Sequence, residues 1–281
     1  MKSTFVFFAG LTLVLLVYGT YQGVVVAPRE ETMGEAQRIF YYHVPAATAA
    51  YSLFLINFVA SLLYLWKRSP VADAWAIASA EVGVVFATVT LALGIIWARY
   101  AWGHWWAWDM RLTTFLVLWL LYVSYLVLRS SAEAGSTSVL AAAMAVIAFL
   151  DVPFNYMANR WFRTNHPQPV TLTDPAMKFA LMSCMIAFFA FAMLIVWFRF
   201  DLERLAQKIA ATHVQRAARR TMACVALPAV FLFFQDAAEL HKQQVFMYSG
   251  YIVAWIIYIG YLVLLMSKLM KLKAEAAELG A

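Results

Sequence analysis

Three stretches of this chain carry residue types that could grip a flat, apolar, metal-centred ligand. The densest is Trp102-Gly103-His104-Trp105-Trp106-Ala107-Trp108-Asp109-Met110-Arg111-Leu112-Thr113, where four of the chain's 11 tryptophans fall within seven residues. Tryptophan belts mark membrane–water boundaries, but a belt accounts for one or two indoles at a helix end. Four in succession offer something else, because indole faces and edges suit a large planar macrocycle. If the segment is helical, Trp102, Trp105, Trp106 and Asp109 share one face by their i, i+3, i+4, i+7 spacing. Asp109 and Arg111 can fix the loop by pairing with each other, or Arg111 can meet a carboxylate on a ligand.

The other two stretches each hold a histidine. His43 lies in Arg38-Ile39-Phe40-Tyr41-Tyr42-His43-Val44-Pro45-Ala46-Ala47, and His166 in Arg160-Trp161-Phe162-Arg163-Thr164-Asn165-His166-Pro167. A lone loop histidine is usually a polar surface residue. Two imidazoles from different loops flanking an aromatic platform can instead serve as axial ligands of one haem iron. His104 could also touch such a ligand, although interfacial polar filler explains it as well. His213 sits in a basic segment and reads as solvated, and His241 has no partner identifiable from sequence. Cys184 and Cys224 lie in apolar stretches without a CxxC pattern, so buried packing is expected of both.

These residues have to be positioned by elements that suit a bilayer. The chain of 281 residues is 64% apolar and 13% charged, against roughly half and roughly a quarter in soluble domains. Apolar runs of spanning length predict membrane helices at 5–26, 45–66, 75–99, 113–128, 138–158, 176–199, 222–237 and 249–267. The fold class is therefore an all-α polytopic membrane protein, with a six-helix core and two C-terminal transmembrane helices. Continuous apolar runs do not match the alternation of a membrane barrel. The first run is longer than a typical signal h-region and lacks a clear cleavage site, so a retained anchor is expected.

A cytoplasmic N-terminus puts 13 of the 21 basic residues on the cytoplasmic side, the sign that membrane topology prefers. His43, the Trp-rich segment and His166 then share the outer side, in loops 27–44, 100–112 and 159–175. The net charge of +6 reflects these topology clusters, not a nucleic-acid surface. A charged, Ala-rich cytoplasmic linker at 201–221 suggests a boundary near 210, dividing the chain into 1–209 and 210–281. Within the spans, Glu81, Asp151 and Asn155 invite attention. Glu81 is near enough to a span end to snorkel, and Pro153 can open the helix between Asp151 and Asn155.

Together the Trp-rich loop, the Tyr-Tyr-His-Val-Pro-Ala-Ala segment and Asn-Arg-Trp-Phe-Arg-Thr-Asn-His closely resemble the CcmC family, the haem-handling subunit of cytochrome c maturation. The pattern WGxWWxWDxRLT, preceded by HVPAA and followed by a third-loop histidine and Asp174-Pro175-Ala176-Met177, covers about residues 1–205. The resemblance implies His43 and His166 as axial haem ligands. It implies Trp102, Gly103, Trp105, Trp106, Trp108, Asp109 and Arg111 as the haem-binding signature. His104 departs from the small or polar residue expected there.

The final span, Ser249 to Lys273, is similar to CcmD, the small single-span partner of the same pathway, and suggests a natural fusion. The implied function is non-enzymatic: transient binding of haem b at the periplasmic face and its delivery to a CcmE-type haem chaperone. ABC transporter subunits of the CcmA/CcmB type are the implied partners. The implied place is a bacterial inner membrane, with both chain ends cytoplasmic. The alternative is a CcsA/CcmF-type haem lyase attaching haem to apocytochrome c. It is disfavoured because Met110-Arg111-Leu112-Thr113 replaces the Pro-containing acidic sequence usual there, and because no histidine lies at mid-span. Arg38, Arg99, Arg160 and Arg163 could meet haem propionates, although anchoring of helix ends explains each equally.

Overall fold

The computed structural model describes residues 3–130, 136–166, 172, 174–214 and 242–279, and no strand occurs among them. The helices are α1 (Ser3–Tyr21), α2 (Phe40–Lys67), α3 (Pro70–Trp102), α4 (Met110–Ser130), α5 (Ser136–Phe149), α6 (Asp151–Trp161), α7 (Pro175–Val214) and α8 (Lys242–Leu279). A π-helical turn, Gln22–Val26, extends α1, and a 3-10 turn, Glu35–Ile39, leads into α2. Backbone groups in hydrocarbon have no water to bond, so each apolar run must satisfy its own N–H and C=O groups as a helix.

Among the described residues, seven helical segments are long and apolar enough to cross a membrane, which bears out the all-α polytopic fold class. α5 and α6 together form one of them. The eighth expected span, 222–237, lies outside the described residues. The break between α5 and α6 falls at Leu150, so Pro153 stands in the first turn of α6, where its missing N–H leaves no bond broken.

α2 and α3 form the tightest hairpin. Arg68 closes α2 in the left-handed region (φ 51°) and donates its N–H to Tyr64 O at 2.8 Å. Ser69 then caps α3, with Pro70 at its first position. Small residues let the two backbones approach: Ala46, Ala49, Ala50, Ala76, Ala80 and Ala87 are all buried. A Cβ at Gly83 would stand 2.7 Å from Phe54 Cε1, so only glycine fits there. Around this hairpin α1 packs on α7, α5 lies against α2, and α8 lies against α3, α7 and the 3-10 turn.

The two ends of the bundle differ in chemistry. One end gathers the α1–α2, α3–α4 and α6–α7 connections, and the residues singled out above as haem contacts lie in these connections or in the helix ends that flank them. The opposite end carries ion pairs. Arg129 grips Asp73 through two bonds, at 2.6 and 2.8 Å. The buried Arg199 meets Glu81 and Glu203, each at 2.8 Å, while Tyr261 donates to Glu81 at 3.0 Å. Glu81 therefore does not snorkel, because it has an internal cation. Arg129 and Arg199, counted above among the topology charges, are also paired with acidic partners within the bundle.

Candidate functional site

The Trp-rich segment is a loop, as expected of the connection 100–112, and the helical face that its spacing would allow does not form. α3 ends at Trp102 because Gly103 takes a left-handed conformation (φ 76°) that side-chain-bearing residues avoid. Residues 103–109 are non-helical, and α4 starts at Met110. The indoles consequently splay instead of stacking along one stripe. Trp102 meets Trp97 edge-on at 5.3 Å, and Trp106 meets Trp108 edge-on at 5.8 Å. Arg99 lies over the Trp105 ring at 5.8 Å and donates to the Gly103 carbonyl. Trp105 is 39% and Trp108 79% exposed, so apolar ring surface is presented outward. The Trp106 Nε1–H is shielded from solvent and makes no hydrogen bond among the described residues.

Asp109 and Arg111 do not pair with each other. Asp109 caps α4, its Oδ1 accepting from Leu112 N at 2.9 Å, and its Oδ2 accepts from Asn165 N, also at 2.9 Å. One carboxylate thus fastens the Trp loop to the residue next to His166. Arg111 reaches across to α6 and donates to the carbonyls of Asn155 (2.6 Å) and Tyr156 (3.2 Å). The Asn155 amide answers by donating to Arg111 O at 2.9 Å, and its carbonyl oxygen accepts from Tyr51 on α2. Asn155 therefore braces α2, α4 and α6 against one another, and does not repair the broken helix around Pro153.

His43 belongs to α2 itself, one turn inside it, not to the loop before the span, because the helix starts at Phe40. Its ring rests against Gly94 of α3, where a Cβ would come within 3.1 Å of Cε1. Nδ1 is shielded from solvent with no hydrogen-bond partner among the described residues, and the backbone of Thr90 faces the ring. His166 and Arg111 are near enough for their charges to act on His43.

His166 follows the end of α6 in non-helical chain. Asn159 holds it from α6, with Nδ2 and His166 Nδ1 3.3 Å apart, and Thr164 Oγ1 donates to both Asn159 Oδ1 (3.2 Å) and His166 O (3.3 Å). The remainder of this connection, from Pro167, is described only at Leu172 before Asp174 caps α7 through Ala176 N at 2.7 Å.

The structure thus brings together His43, His166, Arg111, Asp109 and the indoles at one end of the bundle. His104 is exposed beside Trp102. Of the cationic candidates, Arg38 is occupied by Glu35 at 2.6 Å and the Gly23 carbonyl at 3.1 Å, and Arg99 by the loop. Arg160 and Arg163 are exposed and form no ion pair among the described residues. Sequence reasoning missed Gly94, Asn159 and Tyr51. A span glycine gives no sign of what crosses it, although an Asn seven residues before a suspected ligand could have been noticed.

The set suits haem. The porphyrin supplies the equatorial donors, so the protein needs only one or two axial imidazoles and apolar surface for the ring. An orphaned buried imidazole nitrogen and an orphaned indole N–H beside exposed ring faces fit a ligand that is both metal-bearing and polar-edged.

Comparison with known proteins agrees in kind. The family described as Heme exporter protein C, CcmC, matches residues 1–220. A relative named Heme exporter protein C from Rhodobacter capsulatus is 36% identical over 160 residues, 55% of this chain and 65% of that protein. Its Haemophilus influenzae namesake is 33% identical over 198 residues, 68% of this chain and 79% of the relative. The namesake from Escherichia coli K12 is 32% identical over 171 residues, 59% and 70% respectively. The chain therefore spans just under two-thirds of the length of some of the curated relatives it matches.

Proposed function

The chain belongs to the Heme exporter protein C (CcmC) family, and on that premise we propose that it binds haem transiently at the periplasmic face of a bacterial inner membrane and hands it to a CcmE-type haem chaperone. Haem is cargo here, and no covalent chemistry by this chain is invoked. His43 and His166 would hold the iron. Trp102, Gly103, Trp105, Trp106 and Trp108 would cover the ring, and Asp109 and Arg111 would keep the two loops in register. The bound group supplies an iron centre and a large apolar plate, and the residues do the gripping. Arg160 and Arg163, exposed next to the His166 loop, suit the propionates. ABC transporter subunits of the CcmA/CcmB type would power release of the loaded chaperone, and α8 would serve in cis as a CcmD-like segment.

One observation carries this reading: imidazoles from α2 and from the chain after α6, 123 positions apart in sequence, lie within electrostatic reach of each other beside exposed indoles. Purified protein is expected to carry haem with a low-spin absorption spectrum. His43→Ala and His166→Ala should change that spectrum or lower haem content, while His213→Ala, near the far end of α7, should do neither. Equal haem retention and identical spectra in all three would remove the ligand assignment. Capture of a haem chaperone, as against an apocytochrome, separates a haem handler from a lyase.

A further inference from the structure

We propose that α8, which lies beyond the residues matched by the family, is part of the frame of the haem site, and that Tyr251 on it is a positioning residue for His43. The inference rests on His43 being an iron ligand. α8 meets the bundle at the segment that launches α2. The Tyr251 hydroxyl donates to the Arg38 carbonyl at 2.8 Å, a buried bond between residues 213 positions apart. The Tyr251 ring lies 4.3 Å from that of Tyr42, the residue directly before His43. Gly250 seats α8 closely: a Cβ there would come within 3.1 Å of Leu93 Cδ2 and 3.8 Å of Ile39. Leu93 adjoins Gly94, the surface on which the His43 ring rests.

The residues next to His43 are thus fixed from the α8 side. Tyr42 is also tied to α1, its hydroxyl 2.6 Å from Thr20 Oγ1, and to α7 through an edge-on contact with Phe188 at 5.1 Å. A helix held by the side chain at one position cannot rotate about its axis, and the next side chain, about 100° round, inherits that angle. His43 is therefore aimed by Tyr42, and Tyr42 packs on Tyr251. Arg38 adds a second lock, because its side chain ties Glu35 and Gly23 while its carbonyl is tied to α8. Groups that orient a metal-binding imidazole tune the metal as the imidazole itself does.

The far end of α8 supplies the control. Tyr261 makes an equivalent hydroxyl bond to Glu81, remote from His43. The experiment compares full-length Tyr251→Phe, Gly250→Ala, Tyr261→Phe and His43→Ala, loaded with haemin. It records paramagnetic resonance of the ferric haem, the rate of haem loss to excess apomyoglobin, and the melting temperature. Tyr251→Phe and Gly250→Ala should shift the resonance and speed haem loss by roughly tenfold. Tyr261→Phe should lower the melting temperature alone. Should Tyr251→Phe and Gly250→Ala behave like Tyr261→Phe while His43→Ala changes the spectrum, α8 is merely scaffold and the inference is overturned. A His43→Ala protein with unaltered spectrum and haem loss sinks the ligand reading itself, and this inference with it.

Discussion

At the scale of single residues, His43 depends on what is missing opposite it. Gly94 offers no side chain, and the ring occupies the space a Cβ would need, 3.1 Å from Cε1 and 3.7 Å from Nδ1. Gly94→Ala should push the imidazole by a few tenths of an ångström and shift the haem spectrum while the protein still folds. Gly94→Val adds two further methyl groups to a filled site and should cost about 1–3 kcal/mol, visible as a lower melting temperature together with haem loss. His166 depends instead on a partner, the Asn159 amide 3.3 Å from Nδ1. Asn159→Leu is expected to weaken haem retention by roughly 10- to 100-fold, as loss of such a support typically does, while Asn159→Asp replaces the amide donor facing Nδ1 with a carboxylate oxygen that can accept from an Nδ1–H and should retain most of it. Spectra of the two variants side by side check this. The two candidate histidines were legible because each stands beside a membrane span in a segment rich in aromatic residues. Gly94 was not, since what a glycine faces is decided by the helix across from it.

At the scale of elements, the sequence reading and the structure part company where chain termination overrides periodicity. The i, i+3, i+4 pattern from Trp102 to Asp109 fits a helix, yet Gly103 ends α3 and Asp109 begins α4, so Trp105, Trp106 and Trp108 sit in a turn between two caps while Trp102 closes α3. The apolar runs located the spans well, because hydrocarbon demands long helices. They mislaid the start of α2, because Phe40, Tyr41 and Tyr42 are as much at home in a boundary loop as in a helix. Asp109 is the element-level hinge of the site: one oxygen holds the first turn of α4, the other holds Asn165 beside His166. Asp109→Ala should cost about 0.5–2 kcal/mol in helix capping and also free the His166 loop, so that thermal stability and haem affinity fall together. Asp109→Asn retains a capping oxygen but offers an amide NH₂ toward Asn165, and should restore stability more than affinity. Equal recovery of both would show that Asp109 acts through the cap alone.

At the scale of the whole molecule, the polar groups divide the work: one end gathers the candidate ligand-binding residues, and the other clamps the bundle. Arg199 has a side chain only 1% exposed, held between Glu81 of α3 and Glu203 one turn further along α7, with Tyr261 of α8 on the same carboxylate as Arg199. Three helices thus meet in one network, which sequence could not reveal because Glu81 and Arg199 are 118 positions apart and each looks like a boundary charge by itself. Removing the cation leaves two largely buried carboxylates facing each other, whereas removing all three charges leaves none to solvate. Arg199→Met should therefore cost about 3–5 kcal/mol. The same change made together with Glu81→Gln and Glu203→Gln should cost clearly less, a non-additivity expected of groups in one network. Melting in detergent micelles measures both. Because the network lies at the far end from His43 and His166, the variant that survives folding should keep the wild-type haem spectrum. A spectrum altered by Arg199→Met at full folding would mean that the two ends are mechanically coupled through α3 and α7, and the separation of clamp from grip would have to be abandoned.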